Sequence, residues 1–195
     1  RLWDVQEGEL LLGFVNIQSL PVASLIQQDS FVFQDSFMFQ ETMYENIRMG
    51  QDKSEEEIIA AAQAAQCHAF ISQLPQGYQT RFGAQGVHLS GGEQQRIQLA
   101  RAILKDAPIL ILDAATAFSD PENEYLIQQA FGRLIQDKTV IIIAHRLSTI
   151  TDADQIVVFD QGKIEAKGTQ PELLAQSKLY AQMWSAHVRA QEFSL

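Results

Sequence analysis

Four consecutive residues carry the most specific chemistry in this chain: Ser90, Gly91, Gly92 and Glu93. Ser90 can cap a helix with its hydroxyl, and Glu93, three residues on, can reach back to the Ser90 N–H. Gly91 and Gly92 leave the first turn without side-chain bulk, so a ligand can approach the backbone closely. The free N–H groups and the positive end of the helix dipole then favour an anion. By itself Ser-x-x-Glu only starts a helix, and the full string Leu89–Arg96 says more. Three further polar residues stand at the ends of apolar runs: Asp113 after Ile109–Leu112, His145 after Thr139–Ala144, and Gln34 after Phe31–Phe33. An acidic residue at the carboxyl end of a buried parallel strand lies where open α/β sheets place ligands. A lone His or Gln at a strand end is more often structural.

The elements that must position these residues follow from pattern. Ile97, Ala100, Ile103 and Leu104 recur at helical spacing after Ser90, and Pro108 marks the end of that helix. The continuous apolar run Ile109–Leu112 predicts a strand buried on both faces of a parallel sheet. Asp120-Pro121 predicts a helix start, with Pro at its favoured first position and Leu126, Ala130 and Leu134 facing inward. Arg1–Ile17 predicts a short strand pair and Ala23–Gln28 a short helix. Phe37–Leu104 reads as mostly helical, with capping boxes at Thr42-x-x-Glu45 and Ser54-x-x-Glu57. Glu55, Glu56 and Glu57 suit the first turn of their helix rather than a metal. Gln155–Asp160 and Lys163–Lys167 predict a hairpin, followed by a helix from Thr169-x-x-Glu172 and a last helix whose Trp184 is expected in the core.

Composition bounds the function. The chain has 195 residues, enough for one domain with a real core, and 46% of them are hydrophobic. Lys plus Arg total 14 against 24 Asp plus Glu, a net charge of −10. That balance argues against nucleic acid or an anionic membrane surface as the main partner. The single cysteine, Cys67, excludes an internal disulfide and reads as a small buried hydrophobe. His68 and His88 have no second ligand at metal spacing. No apolar run approaches the roughly 20 residues that span a bilayer. The sequence opens on Arg1 rather than Met, so we expect a longer protein around it.

The string Leu-Ser-Gly-Gly-Glu-Gln-Gln-Arg resembles the signature motif of ATP-binding cassette (ABC) proteins, and other motifs follow in the family's order. Asp113 resembles the Walker B aspartate, which implies a Mg²⁺ ligand. Gln34 resembles the Q-loop glutamine, implying contact with Mg²⁺ or the attacking water. His145, within Ala144–Ile150, resembles the switch histidine that meets the γ-phosphate. Asp120 resembles the D-loop aspartate of the dimer interface. Leu74–Thr80 is similar to the connector of exporter-type cassettes. The resemblance implies an α/β fold: a RecA-like P-loop NTPase core at 1–39 and 106–195, with an inserted α-helical subdomain at about 40–105. It implies ATP and Mg²⁺ as cofactors. It also implies that Ser90, Gly91, Gly92 and Glu93 bind the nucleotide of a partner cassette in trans. The implied partners are a second nucleotide-binding domain and a transmembrane domain fused upstream, at the cytoplasmic face of the inner membrane.

Two departures qualify the activity. No Gly-x-x-x-x-Gly-Lys-Ser/Thr occurs in these residues, so the P-loop segment is absent from them. Ala114 stands where the family places its catalytic Glu, and alanine can neither orient nor deprotonate water. Ala84 likewise stands where exporter-type relatives often have Glu. The sequence therefore supports an ABC cassette powering membrane transport, with an impaired hydrolytic site of its own. A stretch from Asp113 to Glu124 resembles cassettes that handle iron–siderophores. The rival reading is a degenerate, non-hydrolysing cassette that binds a partner. A third, an ABC ATPase acting on DNA or ribosomes, is disfavoured by the acidic balance.

Overall fold

The described chain begins with a hairpin. Strands β1 (Leu11–Leu12) and β2 (Val15–Asn16) pair antiparallel across Gly13 and Phe14, both at positive φ (55° and 69°). Such a two-residue turn matches the twist of the flanking strands and favours a glycine. The structure is a computed structural model, and it describes residues 4–33, 36–84, 86–114, 121–145 and 147–192. Helix α1 (Val22–Gln28) follows Pro21 directly.

Strand β3 (Asp29–Val32) lies parallel to β4 (Ile109–Ala114), with Asp29 opposite Ile109 and Val32 opposite Leu112. Leu110 and Leu112 are buried, whereas Ile109 and Ile111 are only half-buried. The expected burial of this strand on both faces is thus complete on one face only. Strand β5 (Thr139–Ala144) extends the order to β3-β4-β5, and the Thr139 N–H donates to Pro108 O at 3.0 Å. Helices connect the successive strands, which is the alternation of an α/β protein.

Between β3 and β4 run α2 (Met43–Arg48), α3 (Glu55–Ala64), α4 (His68–Gln73) and α5 (Gly91–Lys105). The Ser54 capping box forms in full. The Thr42 box forms only in half: Thr42 Oγ1 accepts from the Glu45 N–H, but the Glu45 carboxylate turns to Arg48 at 3.0 Å. Residues 37–41 are not helical, and the helix starts at the expected Thr42 cap. Buried Asn46 explains why: its side chain accepts from the Phe39 N–H and donates to the carbonyls of Phe39, Glu41 and Thr42. Those backbone groups find partners without a helix. The core of this part joins Met43, Ile47, Ile58, Ile71, Ile97, Leu99, Leu110, Leu112 and, from α6 (Pro121–Leu134), Ile127, Ala130 and Leu134.

The chain divides into two compact units, Arg1–Ile141 and Ile142–Leu195. In the second unit β6 (Ile156–Asp160) and β7 (Lys163–Gly168) form the expected hairpin, with Gln161 and Gly162 at positive φ. Helix α7 (Gln170–Gln176) starts on the Thr169–Glu172 capping box, and α8 (Lys178–Glu192) follows. Tyr180, not Trp184, is the aromatic anchor: it is buried with Ile156, Val158 and Leu173, while Trp184 is half-buried beside His187.

Candidate functional site: the start of helix α5

The capping box at Ser90 forms reciprocally. Ser90 Oγ accepts from the Glu93 N–H at 3.3 Å, and the Ser90 N–H donates to Glu93 Oε2 at 2.8 Å. The Ser90 hydroxyl also donates to Glu93 Oε2 at 2.8 Å. A helix start leaves four N–H groups without intrahelical acceptors, here those of Ser90, Gly91, Gly92 and Glu93. The box takes the first and the last. The two left for a ligand are the N–H groups of the two glycines. Ser90 and Gly91 are exposed, so the Gly91 donor faces an open approach at the positive end of a 15-residue helix, while Gly92 is buried behind it. To donate to a ligand, the Ser90 hydroxyl must turn away from Glu93.

The two glycines serve different ends. A Cβ at Gly91 would meet nothing within 4 Å. A Cβ at Gly92 would lie 2.8 Å from Asn123 Cγ on α6, so Gly92 lets the two helices close together. Asn123 is itself held, because Arg96 Nη1 donates to its Oδ1. Arg96 is buried on α5 and lies over the Phe70 ring at 5.4 Å. The expectation that both glycines clear the way for a ligand is therefore corrected at Gly92, where the space belongs to packing.

Other contacts hold the base of this helix. Arg101 donates to Phe37 O at 2.6 Å, Asn46 O at 2.5 Å and Asn46 Oδ1 at 2.8 Å. Burial pushes its guanidinium down to about 10. Cys67 is buried, its Sγ donating to Ala62 O at 3.3 Å, as a packing residue would be.

The remaining candidate residues occupy strand ends. Asp113, half-buried, is the penultimate residue of β4, and Ala114 is its last. In the second unit His145, exposed, directly follows the last residue of β5. Gln34 and Asp120 lie outside the described residues. Among the described residues no three or more His, Cys, Asp or Glu side chains group to hold a metal. A single carboxylate with phosphate oxygens and water suffices for Mg²⁺, so Asp113 fits that role, while the start of α5 fits a phosphate. Two residues that pack α5 against its neighbours, Asn123 and Gln98, were not singled out from the sequence. Asn123 had no signal, being one polar residue in a polar helix start. Gln98 had one: a Gln among Ile97, Leu99 and Ala100 is a polar residue in a buried stripe.

The chain is 50% identical over 185 residues to an ATP-dependent lipid A-core flippase of Acinetobacter baylyi, covering 94% of this chain and 32% of that protein. It is 49% identical to the mycobactin import ATP-binding/permease protein IrtA of Mycobacterium tuberculosis, covering 94% of this chain and 21% of that protein. The chain thus spans a third or less of the length of these relatives. Among solved structures, a bacterial Atm1-family ABC exporter with ATP bound matches with a TM-score of 0.86 at 42% identity, covering 95% of this chain and 33% of that one. The shared fold is the α/β P-loop NTPase fold of ABC ATPase domains. A family model described as ABC transporter matches residues 1–117, and with it this chain belongs to the ABC transporter family.

Proposed function

We propose that this chain is part of the nucleotide-binding domain of an exporter-type half-transporter, whose cassettes dimerise around Mg-ATP to move a substrate across a membrane. The observation that supports this most is the start of α5, where two unclaimed glycine N–H groups and the open face over Gly91 suit a γ-phosphate. In this reading Ser90, Gly91, Gly92 and Glu93 close on ATP held by a partner cassette. Asp113 and Gln34 hold the Mg²⁺ of this chain's own nucleotide, His145 donates to its γ-phosphate, and Asp120 lies at the dimer interface. When bound, Mg²⁺ neutralises and orients the phosphates. The Ser90 hydroxyl, released from Glu93, donates to a phosphate oxygen. The glycine N–H groups stabilise charge that develops there. Residues about 40–105 make the helical subdomain, and 1–39 with 106–195 the core. A transmembrane domain fused upstream places the cassette at the cytoplasmic face of the inner membrane, with no nucleic acid as partner.

Ala114 limits this chain's own site. General-base assistance is typically worth ~10²–10⁴-fold, and alanine supplies none. In the full-length protein, Ala114→Glu is expected to raise ATP turnover about 10²-fold or more. An unchanged rate would instead support the second reading that Ala114 favours, a non-hydrolysing cassette that acts by binding its partner. For the cargo, we propose a ferric siderophore, on the likeness of Asp113–Glu124 to siderophore cassettes and of the whole chain to mycobactin import proteins. ATP-dependent movement of lipid A, but not of a ferric siderophore, across reconstituted vesicles would refute that choice.

A further inference from the structure

We propose that Gln98 is a positioning residue that locks the signature-bearing helix α5 onto the end of strand β3. Gln98 is 5% exposed, on the stripe of α5 that faces the sheet. Its amide, oriented as its partners require, donates to Phe33 O at 3.0 Å and accepts from the Phe33 N–H at 2.8 Å. The parallel ladder between β3 and β4 ends at the Val32–Leu112 pair. Phe33 is the next residue, and its two backbone groups no longer face a partner strand. The Gln98 amide offers one donor and one acceptor in the spacing of a peptide group, so it supplies one more rung. The Phe33 ring meanwhile stays exposed and stacks on Phe31 at 5.5 Å.

The lock joins two functional halves of one chain. Gln98 lies eight residues beyond Ser90 on a single helix, about 12 Å along its axis. β3 is hydrogen-bonded to β4, which carries Asp113. A shift of the α5 start toward a ligand is therefore carried, through Gln98, to the strand layer holding Asp113. This inference rests on the function proposed above: without ATP at Ser90 and Asp113 there is nothing for the lock to couple.

The test uses the full-length transporter with Ala114→Glu, so that turnover is measurable. Gln98→Met keeps the volume and removes both hydrogen bonds. We expect kcat for ATP to fall about threefold or more, with KM changed less than about twofold, because such couplings modulate rates by factors of this order. Where the Met variant does not fold, Gln98→Ala, which leaves room for water at Phe33, is expected to show the same split. A lowered Tm with unchanged kcat would overturn the inference and leave Gln98 a purely structural residue. If turnover with Ala114→Glu is absent or indifferent to Ser90→Ala, the function itself fails, and the inference with it.

Discussion

Gly91 and Gly92 are neighbours in the sequence, yet they answer to different physics. Gly91 looks onto open space, and Gly92 onto Asn123, which Arg96 holds in place. Gly91→Ala is therefore expected to change stability by less than about 0.5 kcal/mol, as surface substitutions do. It should still lower ATP turnover, because a methyl group would stand over the donors meant for phosphate. Gly92→Ala should cost about 1–3 kcal/mol, the range for forcing a methyl group into a packed contact. Denaturant unfolding of the two variants, and ATPase assays of each in the full-length Ala114→Glu background, separate these effects. Equal destabilisation by both would contradict the division of roles.

At the scale of elements, the corner between α3 and α4 offers a pH test. Burial pushes the Cys67 thiol up to about 12, with the Arg96 charge opposing it. The folded state thus keeps a proton that the unfolded chain releases near pH 8.5. The thiol's contribution to stability is complete below that pH and is lost as pH rises toward the folded value. Urea midpoints measured from pH 7.5 upward should fall above about pH 8.5, and Cys67→Ala should flatten the early part of that slope. Tyr78, whose hydroxyl burial also pushes up, sustains the later part. A midpoint independent of pH up to about 10 would contradict the burial of this thiol.

The same elements mark how far the sequence could be read. Helix starts were legible wherever a side chain caps its own turn, as at Ser54, Ser90 and Thr169. Local bonds of that kind are written in a few adjacent letters. Thr42 marked where the helix begins, but the conformation of residues 37–41 ahead of it carried no local signal. The side chain of Asn46, seven residues after Phe39, sets it. Gln98 and Asn123 act across 65 and 31 residues of chain on Phe33 and Gly92. No window of sequence contains both partners. The capping box and open first turn at Ser90 were legible because cap and glycines lie within four letters. That Gly92 belongs to packing was not, because its neighbour comes from another helix.

For the whole molecule, the proposed function has one chain contribute to two different nucleotide sites, its signature to the partner's and its Asp113 to its own. Family membership is established by the match over residues 1–117, while the relatives extend well beyond this chain. The most direct measurement is complementation between full-length copies, all carrying Ala114→Glu to make turnover visible. One copy also carries Ser90→Ala and the other Asp113→Ala. Each lesion alone, in a symmetric dimer, damages both sites. In a mixed dimer the trans arrangement gathers both lesions into one site and leaves the other intact. Mixing the two inactive forms is expected to restore ATP turnover. Turnover no higher than that of either inactive form would place Ser90 and Asp113 in the same site and contradict it.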